Sequence, residues 1–421
     1  MKILHLSTLD LVGGAARAAY RVHRGLVDIG VNSQMLVRYK SSKDKTVIAP
    51  KSYLERGLGE LIANANQHPI NSYKHKGRNS FSPQWLGDGI RSKINHLNSD
   101  IVNLHWVGRG FIQIETLAKL KQPLVWTLMD MWSFTGGCYY TDNCDRYTQS
   151  CGKCPMLSSD RDDDLSQKVW NRKIKAWQNL NLTLVAPTQW MAKSAAASSV
   201  FKNQRIEVIP FCLDTNVFKP IDKQVARKAL NLPLDKKLVL FGALNATQDQ
   251  RKGFHLLQPA LQQLAKTEWN QKIEVVVFGA SPPEIPLDLG FNAHYLGKIN
   301  DDIALALVYA AADVMIAPSV QEAFGQTASE SIACGTPIIA FADTGLADIV
   351  EHQNNGYLVK PYEIDDLARG IIWVLENEER HQKLSDNARK KAESDYPLEL
   401  QARRYETLYA EILRDCNALN H

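Results

Sequence analysis

Residues 318–344 read PSVQEAFGQTASESIACGTPIIAFADT, and the order of element types around them decides the fold. The apolar run Asp313 to Ala317 leads in as a buried strand, and Gln326 to Cys334 follows as a helix stopped by Gly335. The helix therefore starts near Gly325. There its first N–H groups have no intrahelical partner and its dipole end is positive, so a diphosphate is the expected occupant. Gly325 lets the backbone come close. Glu330, about one turn in, is expected to accept hydrogen bonds from ribose hydroxyls, and Glu322 on the preceding loop to reach a sugar beyond the far phosphate. Two carboxylates spaced this way also suit an ordinary amphipathic helix. The flanking PS, AFG and CGTPIIA segments favour the ligand site.

Outward from this stretch the chain alternates strands and helices twice. Ile3–Ser7, Ser33–Val37, Ile101–Leu104, Leu124–Leu128 and Leu182–Ala186 are apolar runs suited to a parallel sheet covered on both faces. A second series follows the Ile209-Pro210 joint at Lys237–Phe241, Ile273–Phe278, Ala293–Leu296, Asp313–Ala317 and Pro337–Phe341. The expected fold class is α/β, with two doubly wound Rossmann-like domains facing a central cleft. Their expected extents are 1–211 and 212–396, with a Cys-rich insertion at 138–155. The first unit opens with a strand, the glycines Gly13 and Gly14, and a helix from Ala15 to Ile29, an arrangement that suits a nucleotide. Residues 40–97 are polar and studded with Tyr53, Tyr73, Phe81 and Trp85, and read as an insertion shaping an acceptor site.

A chain of 421 residues exceeds what one core usually serves. No run of eighteen apolar residues appears, and MKILHLSTLDL reads as a first strand rather than a leader. A cytoplasmic protein, peripheral at most at the inner face of a membrane, is expected. The net charge of +4 hides an asymmetry, with 28 Lys and Arg against 16 Asp and Glu over residues 1–212 (+12) and 21 against 29 beyond (−8). Basic clusters at Arg38–Arg56, at Lys74, Lys76 and Arg78, and at Lys168–Lys175 are expected either to face an anionic bilayer or pyrophosphate-linked lipid, or simply to be solvated. No nucleic-acid-binding motif accompanies them. Cys138, Cys144, Cys151 and Cys154 are spaced C-x5-C-x6-C-x2-C. That pattern resembles a zinc knuckle holding a structural Zn, with disulfides, redox-sensitive thiols and unlinked cysteines as alternatives. Four thiolates would close the shell, so no catalytic metal is expected there. Cys212, Cys334 and Cys416 read as small buried apolar residues.

Together, Glu-x7-Glu, Gly13-Gly14-Ala15, Ala186-Pro187-Thr188-Gln189-Trp190, Ile209-Pro210 with Asp214-Thr215-Asn216-Val217-Phe218, and Arg251-Lys252-Gly253 resemble the retaining glycosyltransferases of family four, over nearly the whole chain. The cysteine-bearing stretch after TLMDMWSFTGGC is similar to members of the colanic-acid type acting in exopolysaccharide assembly. The resemblance implies a GT-B fold, a first domain for the acceptor onto which the last helix (397–421) packs back, and a second for the donor. It implies transfer from a UDP- or GDP-sugar to a glycan, lipid-linked through polyprenyl diphosphate, with retention of configuration. It places the donor on Gly13, Gly14, Phe324, Gly325, Gln326, Thr327 and Glu330. Lys252 and Arg251 would stabilise charge on the departing diphosphate while Glu322 orients the sugar. Two departures stand out. Met129, in WTLMDMW, occupies a position where the family commonly has histidine, and Ala243 one where it commonly has arginine. His105 and Asp130 are then expected to supply polar contacts in the sugar or acceptor pocket. A silent nucleotide-sugar binder and a GT-B nucleotide-sugar epimerase are the alternatives.

Overall fold

The computed structural model describes residues 1–50, 52–74, 81–86, 89–242, 249–282 and 287–419. Ala243, Lys76 and Arg78 lie outside them. The chain forms two compact units, one of residues 1–210 with 399–421 and one of residues 211–398.

The first unit holds β1 (Lys2–Leu9), β2 (Asn32–Tyr39), β3 (Val47–Ile48), β4 (Ile101–Leu104), β5 (Leu124–Thr127), β6 (Leu182–Ala186) and β7 (Arg205–Val208). They make one parallel sheet in the order β3-β2-β1-β4-β5-β6-β7. It is flanked by α1 (Gly14–Asp28), α2 (Tyr53–Gln67), α3 (Ile90–Leu97), α4 (Ile114–Leu117), α5 (Leu165–Trp177) and α6 (Gln189–Ala197). The second unit repeats the plan with β8 (Lys237–Gly242), β9 (Ile273–Phe278), β10 (Ala293–Tyr295), β11 (Val314–Ala317), β12 (Ile338–Phe341) and β13 (Gly356–Val359), in the order β10-β9-β8-β11-β12-β13. Its helices are α7 (Lys223–Ala229), α8 (Phe254–Leu264), α9 (Asp302–Ala311), α10 (Gln326–Ala333), α11 (Ile364–Leu375) and α12 (Glu378–Asp395). The last helix, α13 (Leu398–Leu419), belongs to the first unit from Glu399 on.

Strands β4, β5, β6, β11 and β12 are buried along their whole length, which is why they read as unbroken apolar runs rather than alternating ones. Strands β3, β7 and β13 had no such signal. The first is two residues long, and the others lie at sheet edges with half-exposed side chains. On α13, Tyr405, Leu408, Tyr409 and Ile412 are all buried. Asn103 Nδ2 on β4 donates to Tyr409 Oη at 2.6 Å, and Tyr405 Oη lies 3.1 Å from Thr127 Oγ1 on β5. Among the described residues no helix is long and apolar enough to cross a membrane.

One member of the Lys168–Lys175 cluster departs from the exposed face expected of it. Lys168 and Lys175 are exposed. Lys173 is fully buried, its Nζ donating to the carbonyls of Trp132 and Thr135 and lying 3.7 Å from the Trp132 ring centroid. Helical periodicity turns every third or fourth residue of α5 inward, and position 173 falls on that face.

Asp313 enters β11 as a charged residue in an apolar strand, and its surroundings explain it. It accepts hydrogen bonds from Lys223 Nζ (2.7 Å), Arg227 Nη2 (2.6 Å) and the Leu238 N–H (2.6 Å), tying α7 to β8 and β11. Burial by itself would raise its carboxyl, but the two cations outweigh that and hold it below the ordinary 3.8. Its contribution to stability is therefore fully present above pH 3.8 and is lost as the pH falls through the depressed folded value. Asp313→Asn leaves the buried Arg227 and the partly exposed Lys223 short of a partner and is expected to cost about 3 kcal/mol in urea unfolding at neutral pH, with a shallower acid limb. An unchanged midpoint would remove Asp313 from this role.

Candidate functional site

In a doubly wound sheet the carboxyl ends of the two strands where the order reverses leave a crevice. In the second unit those strands are β8 and β11, paired through Val314 with Val239 and Ile316 with Phe241. The segment bearing Arg251 and Lys252 follows β8, and that bearing Glu322 follows β11. Asp249 Oδ1 accepts from the Arg251 N–H at 3.0 Å and starts a 3-10 turn over Gln250–Lys252. Gly253 ends the turn at φ +74°, where a Cβ would stand 1.8 Å from the Pro318 carbonyl oxygen. That close approach joins the two segments. The Val320 N–H donates to the Arg251 carbonyl at 2.9 Å, and Arg251 Nη1 to the Gln321 carbonyl at 2.9 Å.

Lys252 Nζ is thereby held 2.6 Å from Glu322 Oε2, with Arg251 Nη1 3.6 Å from the same oxygen. Burial alone would raise the Glu322 carboxyl, but Lys252 and then Arg251 hold it below the usual carboxylate range. Burial also lowers Lys252, against the pull of Glu322. The cluster thus sets two cations against two carboxylates, with Glu322 facing both cations and Asp249 Oδ2 3.3 Å from Arg251 Nη2. Next to it α10 begins at Gly325, φ +96°, with no side-chain cap and no acidic residue in its first turn. A Cβ on Gly325 would meet Leu346 Cδ2 at 2.3 Å. On the other side the Gly345 N–H donates to the Glu322 carbonyl at 2.9 Å.

The remaining expected donor residues divide. Gln326 and Thr327 are half-buried in the first turn of α10. The Phe324 ring is buried, 5.1 Å from that of Phe211 and 5.7 Å from that of Tyr396, so residue 324 can meet a ligand only through its backbone. Glu330 is 3% exposed and accepts from Tyr309 Oη at 3.0 Å. Tyr309 carried no signal in the apolar sequence of α9. Gly13 and Gly14 belong to the first unit, where Gly13 at φ +91° precedes α1 with no side-chain cap.

The first unit has its own reversal point, between β1 and β4. His105, just after β4, lines with Trp106, Trp126, Met129, Asp130 and Tyr139 a cavity of about 10 Å³, room for one water or hydroxyl. Three sequence-predicted residues thus meet. His105 is itself only 2% exposed, with Nε2 2.8 Å from His5 Nδ1. His5, on a strand otherwise read as apolar, was not anticipated. Asp130 Oδ1 accepts from the Trp132 N–H at 2.8 Å.

The four cysteines of the expected zinc knuckle stand near one another, close enough for neighbouring thiols to raise those of Cys138, Cys151 and Cys154. All seven cysteines are free thiols, and among the described residues no three Cys, His, Asp or Glu side chains form a group able to hold a metal ion. Burial raises the Cys151 thiol to about 12 and that of Cys154 to about 11 and pushes Cys138 well above its ordinary value. Cys151 accepts from the Gly136 N–H at 3.1 Å and packs where a Cβ on Gly136 would lie, 2.7 Å away. Cys212 and Cys334 are buried as expected; Cys416 is only half-buried and accepts from Asn181 Nδ2 at 3.2 Å.

Two outcomes test these geometries. Gly253→Ala forces a Cβ into the Pro318 carbonyl and is expected to lower stability by about 3 kcal/mol, read by chemical denaturation. Burial lowers the imidazoles of His5, of His23 (to about 4) and of His105 (to about 3), so below pH 6.5 the unfolded chain binds protons that the folded chain refuses. Stability is expected to fall as the pH drops from 6.5 towards 4, by up to about 4 kcal/mol per pH unit for three histidines. A flat profile in that window would contradict their being neutral.

Residues 222–391 match the glycosyl transferases group 1 family. D-inositol 3-phosphate glycosyltransferase 2 of Catenulispora acidiphila is 32% identical over 44% of this chain and 45% of its own length. N-acetyl-alpha-D-glucosaminyl L-malate synthase of Bacillus anthracis is 27% identical over 51% and 55%. The chain spans about half the length of the curated relatives it matches. Among solved structures, sucrose-phosphate synthase of Thermosynechococcus elongatus superposes with a TM-score of 0.69 at 19% identity, over 99% of this chain and all of the other. HepE of Anabaena, solved with UDP and glucose, gives 0.65 at 18%, over 97% of this chain and all of that one. The two parallel-sheet units are thus of the GT-B fold, and residues 222–391 are a glycosyl transferases group 1 domain.

Proposed function

We propose that this chain is a retaining glycosyltransferase that moves a hexose-type sugar from a UDP- or GDP-sugar to a glycan carried on a polyprenyl diphosphate, in the assembly of a surface or exported polysaccharide. The observation that carries the reading is the Arg251–Lys252–Glu322 cluster beside the uncapped start of α10. Two cations and a helix N-terminus around one point suit a diphosphate. HepE of Anabaena has been solved with UDP-glucose, which supports a nucleotide-sugar donor for this fold.

In this reading Lys252 exchanges Glu322 for the diphosphate as the glycosidic C–O bond breaks. Arg251 and Lys252 stabilise the negative charge that grows on the leaving oxygen, and need no metal to do so. Glu322, released from its ion pair, accepts hydrogen bonds from the sugar. The acceptor hydroxyl attacks from the face the diphosphate leaves, and a phosphate oxygen takes its proton. Glu330 serves the ribose hydroxyls, with Tyr309 holding its carboxylate. In the first unit His105 and Asp130 contribute polar contacts where Met129 cannot.

Lys252→Ala is expected to lower kcat about a hundredfold or more with a smaller change in donor KM, whereas Glu330→Ala chiefly raises donor KM. Both are read by nucleotide release from UDP- and GDP-sugars with a glycan-lipid extract. Turnover left intact by Lys252→Ala would remove the electrostatic role. Donor binding without release in the native chain would favour a silent binder, and release of an altered sugar without acceptor would favour an epimerase.

A further inference from the structure

Helix α5 carries Arg172 and Lys173 side by side, and they reach two different stretches of chain. Arg172 is half-buried and donates to the Pro83 and Gln84 carbonyls and to Glu115. Lys173 turns inward and is 0% exposed. Its Nζ donates to the carbonyls of Trp132 and Thr135, the latter at 2.9 Å, and lies 3.7 Å from the Trp132 ring centroid and 5.6 Å from that of Trp177. The two carbonyls bracket the 3-10 turn Trp132–Phe134. That turn and the residues just before it build much of the cavity at the first unit's reversal point, since Met129, Asp130, Trp132 and Ser133 all line it. Three further bonds tie the turn to itself and to its neighbours. Asp130 Oδ1 accepts from the Trp132 N–H at 2.8 Å, the Met131 N–H donates to the Tyr139 carbonyl at 2.9 Å, and Trp132 Nε1 donates to the Ser82 carbonyl at 2.7 Å. Lys173 supplies the hold from α5.

A helix that needed only packing at residue 173 would carry an apolar side chain there, because an ammonium taken out of water is costly unless it is well paired. Two carbonyl dipoles and the face of Trp132 offset part of that cost. Burial still brings the Lys173 ammonium down to about 7, with Cys151, Cys138 and Asp130 pulling it up and Arg172 pushing it down. The position of the turn matters to a ligand, because two polar atoms of the cavity lining are buried and open: among the described residues neither His105 Nδ1 nor Ser133 Oγ has a hydrogen-bond partner. A sugar hydroxyl has to find such groups where the turn puts them, and a shift of an ångström would lose them. We propose that Lys173 is a positioning residue of this cavity: its buried ammonium gathers the Trp132 and Thr135 carbonyls and so fixes Asp130 and Ser133 where a sugar hydroxyl meets them. Lys173 touches no ligand itself and acts through Asp130. The proposal deepens the reading above and rests on it for the identity of the ligand as a sugar.

The test compares the full native chain with Lys173→Met, which keeps most of the side chain's volume and removes its donors, with Asp130→Ala, and with the two combined. Nucleotide release from UDP- and GDP-sugars with a glycan-lipid extract gives kcat/KM, and amide hydrogen exchange read by mass spectrometry follows the turn. Lys173→Met is expected to lower kcat/KM about tenfold, Asp130→Ala by a similar factor, and the double variant no further than the worse of the two, because the lysine acts through the aspartate. Exchange at residues 129–137 is expected to quicken about tenfold in Lys173→Met while β5 and the second unit keep their protection. A role in core packing alone would give losses that multiply and exchange that quickens throughout the first unit, and either result overturns the proposal. So does full turnover in Asp130→Ala, which needs no change at residue 173, or in Lys173→Met. Should Lys173→Met fail to fold, Lys173→Gln, which keeps an amide donor, takes its place with the same expectations. A native chain that releases no nucleotide sinks the transferase reading, and the exchange pattern then decides the role of Lys173 by itself.

Discussion

A parallel sheet cannot close its own carboxyl edge, and both units of this protein are organised by that constraint. Where the strand order reverses, two loops leave neighbouring strands in opposite directions and expose backbone that no helix covers. In the second unit the opening is narrowed by a contact that only glycine permits, Gly253 against the Pro318 carbonyl. From it follow the backbone bond between Val320 and Arg251 and the side-chain bond from Arg251 to Gln321. The charged groups of the site meet because these two stretches of main chain are stitched together first.

Magnitudes then decide the electrostatic character of the cluster. Glu322 and Asp249 match the two cations in number, and the start of α10 leaves a surplus of roughly half a positive charge. Partly screened from water, such an imbalance is costly unless an anion relieves it. Burial lowers Lys252, and the lowered Glu322 records an attraction to Lys252 and Arg251 that outweighs its own burial. The first unit's reversal point has the opposite character: neutral histidines, aromatic walls and room for a single hydroxyl.

Legibility followed the length scale of each feature. Buried parallel strands and the glycine stop of α10 were readable because each is a local pattern of apolar runs and backbone freedom. The pairing of Lys252 with Glu322, seventy residues apart, came through resemblance and not through any periodicity. Four cysteines within seventeen residues suggested a metal shell; their segment has only short 3-10 turns, so spacing along the chain does not by itself set the distances between sulfurs. Lys173 was misjudged for a related reason: a lysine among basic residues reads as solvated until the helix shows which way it faces.

The sequence by itself determined the alternation of strand and helix, the two-fold series of doubly wound elements, and the helix start at Gly325, since each depends on neighbours within a turn or a strand. It took packing across the fold to show that His105 is sealed against His5, that Glu330 rests on Tyr309, and that α2 turns its leucines outward. Those outcomes depend on which buried polar group finds a partner across the fold. Asn66 holding two N–H groups nineteen and twenty residues away is such a case, because leaving either unpaired in the interior would cost more than leaving Leu58 and Leu61 in water's reach.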